Sequence, residues 1–190
     1  MTRTRCGWAE SSPLMIDYHD TEWGVPVHDD RKHFEFLILD AFQAGLSWAI
    51  VLAKRENFRR AFDGFDAGKI ARYRPAKLRK LVADASIIRN RQKIAGTVQN
   101  ARAFLALQEE RGSFDDFVWE VVGGATRHNT WKTLRQIPAH TKESDQLSKA
   151  LKERGFTFVG STICYAYMQA AGLVNDHLMS CFRRVSFQRG

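Results

Sequence analysis

FEFLILDAFQAGLSWAIVL, residues 34–52, decides the fold. It is the most apolar part of the chain. At helical spacing it is apolar on every face, so it reads as a buried helix rather than a surface one. One acid, Asp40, sits in its middle among Ile38, Leu39, Ala41 and Phe42. A carboxylate is costly to bury unless something partners it. Asp40 therefore either pairs with a buried backbone group or a basic neighbour, or marks a functional pocket. Gly45 breaks the helix, and Ser47 is placed to cap the next one.

Moving outward, Asp29 or Asp30 caps the helix that ends near Gln43. A second helix runs from Ser47 to about Phe62, with Trp48, Val51, Leu52 and Phe58 inward and Lys54, Arg55, Arg59 and Arg60 on a solvated face. Residues 1–30 read as irregular and packed onto the body, punctuated by Trp8, Pro13, Gly24 and Pro26. Asp66 opens a short helix, and Pro75 suits the first turn of another. A long helix spans about Asn90–Glu110, carrying Ile94, Val98, Ala101, Phe104 and Leu105 at three-four spacing. Ser113 caps a short helix. Residues 122–142 read mostly as loop. Ser144 caps a helix that stops at Gly155, and Gly160 precedes a further helix. Asn175 caps a last turn or two holding His177 and Cys181. No strand-like alternation is present, so the class is all-α.

The composition bounds the rest. A chain of 190 residues suggests one domain. An apolar fraction of 44%, with five Trp and thirteen Phe, is enough for a core. The net charge of +8 favours a polyanionic partner such as nucleic acid, or a membrane surface. No charge-free apolar run reaches the roughly 18 residues that a spanning helix needs, and the N-terminus has no apolar signal core. Three cysteines with no framework spacing fit a reducing, cytoplasmic setting. No exposed apolar seam is evident, so a monomer is expected.

Three constellations could carry chemistry. In the first, GFTFVG at 155–160 joins two helices, and Gly155 and Gly160 bracket the turn. Backbone N–H groups at the start of the second helix could hold a DNA phosphate, with Lys149, Lys152 and Arg154 nearby, or the unit is an ordinary helical hairpin. In the second, Cys6, His19, His177 and Cys181 supply the two sulfurs and two nitrogens that tetrahedral zinc prefers. His177 and Cys181, four apart, would share one helix face. The plainer reading is two buried cysteines and two surface histidines; Cys164 is core. In the third, Trp8, Tyr18, Trp23 and Trp48 around Asp40 suit a flipped-out purine, above all a cationic one. Core aromatics are the ordinary alternative.

Together these residues closely resemble the 3-methyladenine DNA glycosylase I family of helix-hairpin-helix glycosylases. The matching segments are RCGW (5–8), YHDTEWGVP (18–26), QAGLSW (43–48), LVADASIIRNRQKI (81–94), NARAF (100–104), FVW (117–119) and LSKALKERGFTFVGSTICYAYMQAAGLVNDH (147–177). The resemblance implies a domain over 1–183, two helical lobes around one pocket, with a variable tail at 184–190. It implies a structural zinc on Cys6, His19, His177 and Cys181, joining the N- and C-terminal segments. It places Trp8, Tyr18 and Trp48 in a base pocket with Asp40, and Gly45 and Leu46 in a loop pressed into the gap left by the flipped base. The 155–160 turn becomes the phosphate-binding hairpin. The expected activity is hydrolysis of the N-glycosidic bond of 3-methyladenine in alkylated double-stranded DNA.

The chain departs from the family at one important point. Asp40 and Ala41 stand where Glu and Gly are usual, and Asp is shorter by about 1.5 Å, one carbon–carbon bond. Asp40 could reach the base through a shifted helix or a bridging water, or affinity falls and selectivity changes. The rival expectation is a catalytically weakened protein that binds alkylated lesions without cutting them. No lysine opens the helix after the hairpin, so a monofunctional enzyme is expected. Asp176 is assigned to support His177 or a helix end.

Overall fold

In the computed structural model, which describes residues 3–186, the N-terminal segment is more ordered than its sequence suggests. Gly7–Ser11 form a 3-10 turn and Pro13–Thr21 form helix α1. Ser12 caps α1 by accepting from the Met15 N–H, and Pro13 occupies the first turn, where a missing N–H costs nothing. A two-turn helix has too few residues to display an apolar period, which is why it reads as loop.

Helix α2, Asp30–Gln43, is the central element. Asp29 caps it, accepting from the Lys32 N–H at 2.8 Å. Every residue from His33 to Phe42 is buried, Asp40 included. The expected single helix over 48–62 is two, α3 (Trp48–Ala53) and α4 (Arg55–Ala61). They break at Lys54, whose ammonium donates to the Ser86 carbonyl at 2.9 Å. Ser47 precedes α3 but makes no side-chain cap.

A 3-10 turn at Asp63–Phe65 leads to α5 (Ala67–Ile70), α6 (Pro75–Ala83), the long α7 (Arg91–Arg111) and α8 (Phe114–Glu120). Asp66 and Ser113 cap α5 and α8 as expected, and Asn90, read as the start of the long helix, caps α7. Helix α9 (Lys142–Glu153) is capped by Thr141 rather than Ser144. Ser144 instead accepts from the Thr141 N–H, completing a reciprocal box. Helix α10 spans Ser161–Ala170, and Arg183–Ser186 form the last turn, α11.

The all-α expectation holds in bulk, and the chain is mostly helical. The exception among the described residues is a parallel pair of two-residue strands, β1 (Arg127–His128) and β2 (Val174–Asn175). Two residues are too few to show alternation. Asn175 belongs to β2, so it caps no helix, and His177 and Cys181 lie in non-helical backbone. Among the described residues no helix is long and apolar enough to cross a membrane.

Helix α2 packs against α3, α7, α8 and α10. The α2 phenylalanines run into two aromatic sets, Phe42–Phe58–Phe62 and Phe34–Phe104–Phe114. Polar ties cross the same core. Tyr167 on α10 meets His33 Nδ1 on α2 at 2.6 Å, and His33 Nε2 meets Asp115 on α8 at 2.8 Å.

The turn between α9 and α10 is clamped onto α7. Asn100 donates to the Thr157 carbonyl at 3.0 Å and accepts the Thr157 N–H at 2.8 Å, while Gln99 donates to the Gly155 carbonyl. Gly155 takes φ +86°, and Phe158 is held at φ +58°, a left-handed conformation that a bulky residue adopts only under constraint. Gly96 on α7 permits the approach: a Cβ there would lie 2.8 Å from both Thr157 and the Phe158 ring.

Candidate active site and metal centre

Asp40 sits on the floor of a cavity of about 580 Å³. The cavity is lined by Trp8, Met15, Tyr18 and Trp23 of the N-terminal segment, by Trp48 of α3, and by Ala166, Gln169 and Ala170 of α10. The Tyr18 and Trp48 rings are 5.4 Å apart, and Trp8 meets Trp23 edge-on at 4.9 Å. The structure thus brings Trp8, Tyr18, Asp40 and Trp48 to one cavity.

Neither core partner expected for Asp40 is present. The residue is 2% exposed and its Oδ2 has no hydrogen-bond partner. The indole N–H of Trp48 is likewise buried and unpartnered. One cavity therefore holds an acceptor and a donor left unsatisfied, where a folded core normally pairs both. Burial pushes the Asp40 carboxyl well above the usual carboxylate range, and Arg55 pulls it partly back. Burial also raises Tyr18, helped by the charges of Asp40 and Glu22.

Arg55 corrects the expected solvated face. It is 7% exposed, and it donates to Glu35 at 2.6 Å and to Glu22 at 2.8 Å. Arg59 shares Glu35, and Lys32 pairs with Glu22. The Arg55 guanidinium also lies 5.4 Å from the Phe36 ring centre, one turn before Asp40. This network fixes the end of α1, which carries Tyr18, to α2, which carries Asp40. Pairings between residues 22, 35 and 55 leave no trace in periodicity.

Burial pushes the Glu22 carboxyl up, but Arg55 and Lys32 outweigh it and hold it at about 2, against an ordinary 4.5. A depressed carboxyl stabilises the fold fully above its unfolded value and loses that contribution as pH falls towards its folded value. Glu22→Gln is therefore expected to flatten the loss of stability between pH 4.5 and about 2. Urea midpoints measured across that range check this; an unchanged slope would contradict it.

Gly45 and Leu46 stand beside the cavity's Ser47 and Trp48. Gly45 takes φ +84° and Leu46 is 40% exposed. Lys93, which the sequence reading did not single out, anchors this loop by donating to the carbonyls of Phe42 at 3.1 Å and Ala44 at 2.9 Å. Gly155 and Gly160 bracket the hairpin as expected, and Gly160 is the N-cap of α10.

The second constellation also assembles. Ligand atoms of Cys6, His19, His177 and Cys181, all buried, lie within 4.8 Å of one another. Cys181 Sγ is 3.4 Å from His19 Nε2 and 3.5 Å from His177 Nδ1, and Cys6 Sγ is 3.8 Å from His177 Nδ1. Zinc bonds of about 2.3 Å to sulfur and about 2.0 Å to nitrogen give tetrahedral sulfur–nitrogen edges of roughly 3.5 Å, so the set fits. The far ring nitrogens support it: His19 Nδ1 meets Asp20 at 2.7 Å, and His177 Nε2 meets the Trp23 carbonyl at 3.1 Å. Those acceptors hold the ring protons away from the cluster, leaving lone pairs to face a metal. Arg5 in turn grips Asp20. Neither Asp20 nor Arg5 was singled out from sequence, because their role depends on a contact rather than a motif.

Asp176 supports a helix end, one of its two expected roles, through Gln169 in the last turn of α10. It accepts from four side chains: Asn129, Trp131, Tyr165 and Gln169. It therefore joins the 129–131 loop to α10.

Fold and cavity together give a helical protein with an aromatic cavity around a buried acid, and a glycine-bracketed hairpin clamped onto α7. Residues 8–184 match the family model described as methyladenine glycosylase, and the chain belongs to that family. It is 52% identical over 177 residues to DNA-3-methyladenine glycosylase 1 of Escherichia coli (strain K12), covering 93% of this chain and 95% of that protein. A crystal structure of 3-methyladenine DNA glycosylase I superposes with a TM-score of 0.92 at 51% identity, covering 94% of this chain and 98% of that one. A Tyr-to-Phe variant of a 3-methyladenine DNA glycosylase I, in complex with 3-methyladenine, gives 0.92 at 30% identity, covering 95% and 97%.

Proposed function

We propose that this protein is a monofunctional DNA-3-methyladenine glycosylase, which hydrolyses the N-glycosidic bond of 3-methyladenine in alkylated duplex DNA and leaves an abasic site. The observation that carries the reading is the unpartnered Asp40 carboxylate on the floor of an aromatic cavity. The family and its named relatives support it.

N3-methylation makes adenine cationic and weakens its bond to the sugar, so the leaving group needs little acid catalysis. The protein's work is to extrude the nucleotide, hold the cation and exclude the normal base. Asp40 accepts from the exocyclic amine, and its negative charge favours the methylated ring over neutral adenine. Trp8, Tyr18 and Trp48 hold the ring, adding cation–π attraction. Gly45 and Leu46 fill the gap left in the duplex. The Gly155–Gly160 hairpin grips a backbone phosphate through its N–H groups, and the net charge of +8 draws in the duplex.

Cys6, His19, His177 and Cys181 would hold a zinc ion whose contribution is structural: it keeps the segment bearing Trp8 and Tyr18 against the C-terminal loop. The working unit is one domain over 1–183, a monomer in the cytoplasm.

Helix α10 opens Ser161-Thr162-Ile163, with no amine to form a Schiff base, and Lys93 is committed to two carbonyls. The test is incubation with methylated duplex DNA. Free 3-methyladenine should appear, strands should stay intact until alkali is added, and borohydride should trap no covalent adduct. Strand cleavage without alkali would overturn the monofunctional reading. Duplex binding with no base release would favour the lesion binder.

A further inference from the structure

We infer that Gln169 presents a fixed hydrogen-bond acceptor to the reacting sugar and its attacking water, and that Asp176 is the positioning residue that aims it. The inference rests on the base-excision reading above.

Gln169 lines the cavity from α10 and is half-buried, whereas Asp40 on the floor is 2% exposed. A flipped nucleotide enters base first. Groups on the floor meet the base, and groups nearer the mouth meet the sugar. Gln169 Nε2 donates to Asp176 Oδ2 at 2.7 Å. Asp176 is 1% exposed and its partners are all neutral donors: Asn129 at 2.7 Å, Trp131 at 2.8 Å, Tyr165 at 2.6 Å and Gln169 itself. A carboxylate accepts and does not donate, so it fixes which end of the amide faces it. The carbonyl end of Gln169 is thereby turned away from Asp176, and because the residue lines the cavity, we take that end as the one offered to it.

The chemistry needs an acceptor there. The C1′–N9 bond breaks with its electron pair leaving on the methylated base, which departs neutral. The positive charge passes to the sugar. A water oxygen then bonds to C1′ and its proton passes to solvent. Charge thus moves from the floor to the mouth during the step, and Asp40 is placed for the starting cation rather than the developing one. A carbonyl dipole held by a buried partner acts without reorganising, and it can also accept from the incoming water.

The test compares the full-length native protein with Gln169→Met, which keeps the side-chain length and removes the amide. Two duplex probes carry abasic analogues at the lesion: a pyrrolidine, cationic like the reacting sugar, and a neutral tetrahydrofuran. The native protein should bind the pyrrolidine duplex more tightly. Gln169→Met should slow single-turnover release roughly a hundredfold and erase most of the pyrrolidine preference. Its affinity for free 3-methyladenine, read by tryptophan fluorescence, should not change, and its melting temperature should fall only modestly, since Asp176 keeps Asn129, Trp131 and Tyr165 as donors. Asp176→Asn, which lets the amide turn round, should lose the same preference with Gln169 still present. Unchanged rate and preference in Gln169→Met would overturn the inference. So would an equal loss of free-base affinity, which would make Gln169 a base contact. Failure of the native protein to release base would instead overturn the underlying reading, before any variant is compared.

Discussion

Asp40→Asn should abolish 3-methyladenine release at neutral pH, while Asp40→Glu should keep it or raise it. Asn fills the same space but cannot offset the charge of a methylated base. Losing one partner of a buried, charge-assisted pair costs about 3–5 kcal/mol, which at 1.36 kcal/mol per decade is about two to four orders of magnitude in rate. Glu carries the same charge on a side chain longer by about 1.5 Å, and the 580 Å³ cavity has room for it. Release should also fall as the pH is lowered, because burial raises the Asp40 pKa and the protonated acid is neutral. Asp40→Asn should lack that acid limb. The free Asn variant should melt higher than the native protein at neutral pH, since it removes a desolvated carboxylate from the core. Higher stability with lower activity would mark Asp40 as kept for ligand rather than for folding. Equal release from all three proteins would remove Asp40 from the site.

Removal of metal should have the second large effect. Zinc is expected at one ion per chain, and stripping it should take base release with it. Zinc in isolated finger peptides contributes roughly 10–16 kcal/mol; here the effect should be local, because α2, α7 and α10 keep their own apolar core. Stripped protein, or Cys181→Ser, should retain most far-ultraviolet helix signal. Its tryptophan fluorescence should shift as Trp8 and Trp23 lose their neighbours. Free-base affinity should fall with it, since Trp8 and Tyr18 wall the cavity. A protein that purifies without zinc and still melts and cuts normally would refute the assignment.

The parts of the fold legible in sequence are those set by local rules. Asp29, Asp66 and Ser113 announce their helices by capping chemistry, and the apolar run around Asp40 announces a buried helix. The four cavity residues and the four metal candidates were named from composition and resemblance, and the structure brings each set together. What stayed hidden depends on distant contacts. Arg55 looks like its neighbours Lys54 and Arg59 until Glu22 and Glu35 arrive from another helix. The Cys181–His177 pair comes together without a helix, because a close approach of side-chain atoms does not fix the backbone between them. Asp176 and Gln169 are seven apart and meet only because the chain turns at Gly172.

The joining of segments so far apart in the sequence bears on how the protein is made. Cys6 and His19 are translated well before the residues that complete their set, His177 and Cys181. The Phe182 N–H closes the same seam on the Thr4 carbonyl at 2.9 Å. A nascent chain can pack much of its core on the ribosome, yet Trp8 and Tyr18 gain their backing only after residue 182 has emerged. A product that stops short of that point would carry Asp40 and the hairpin with no finished pocket between them, and could touch a duplex without excising from it.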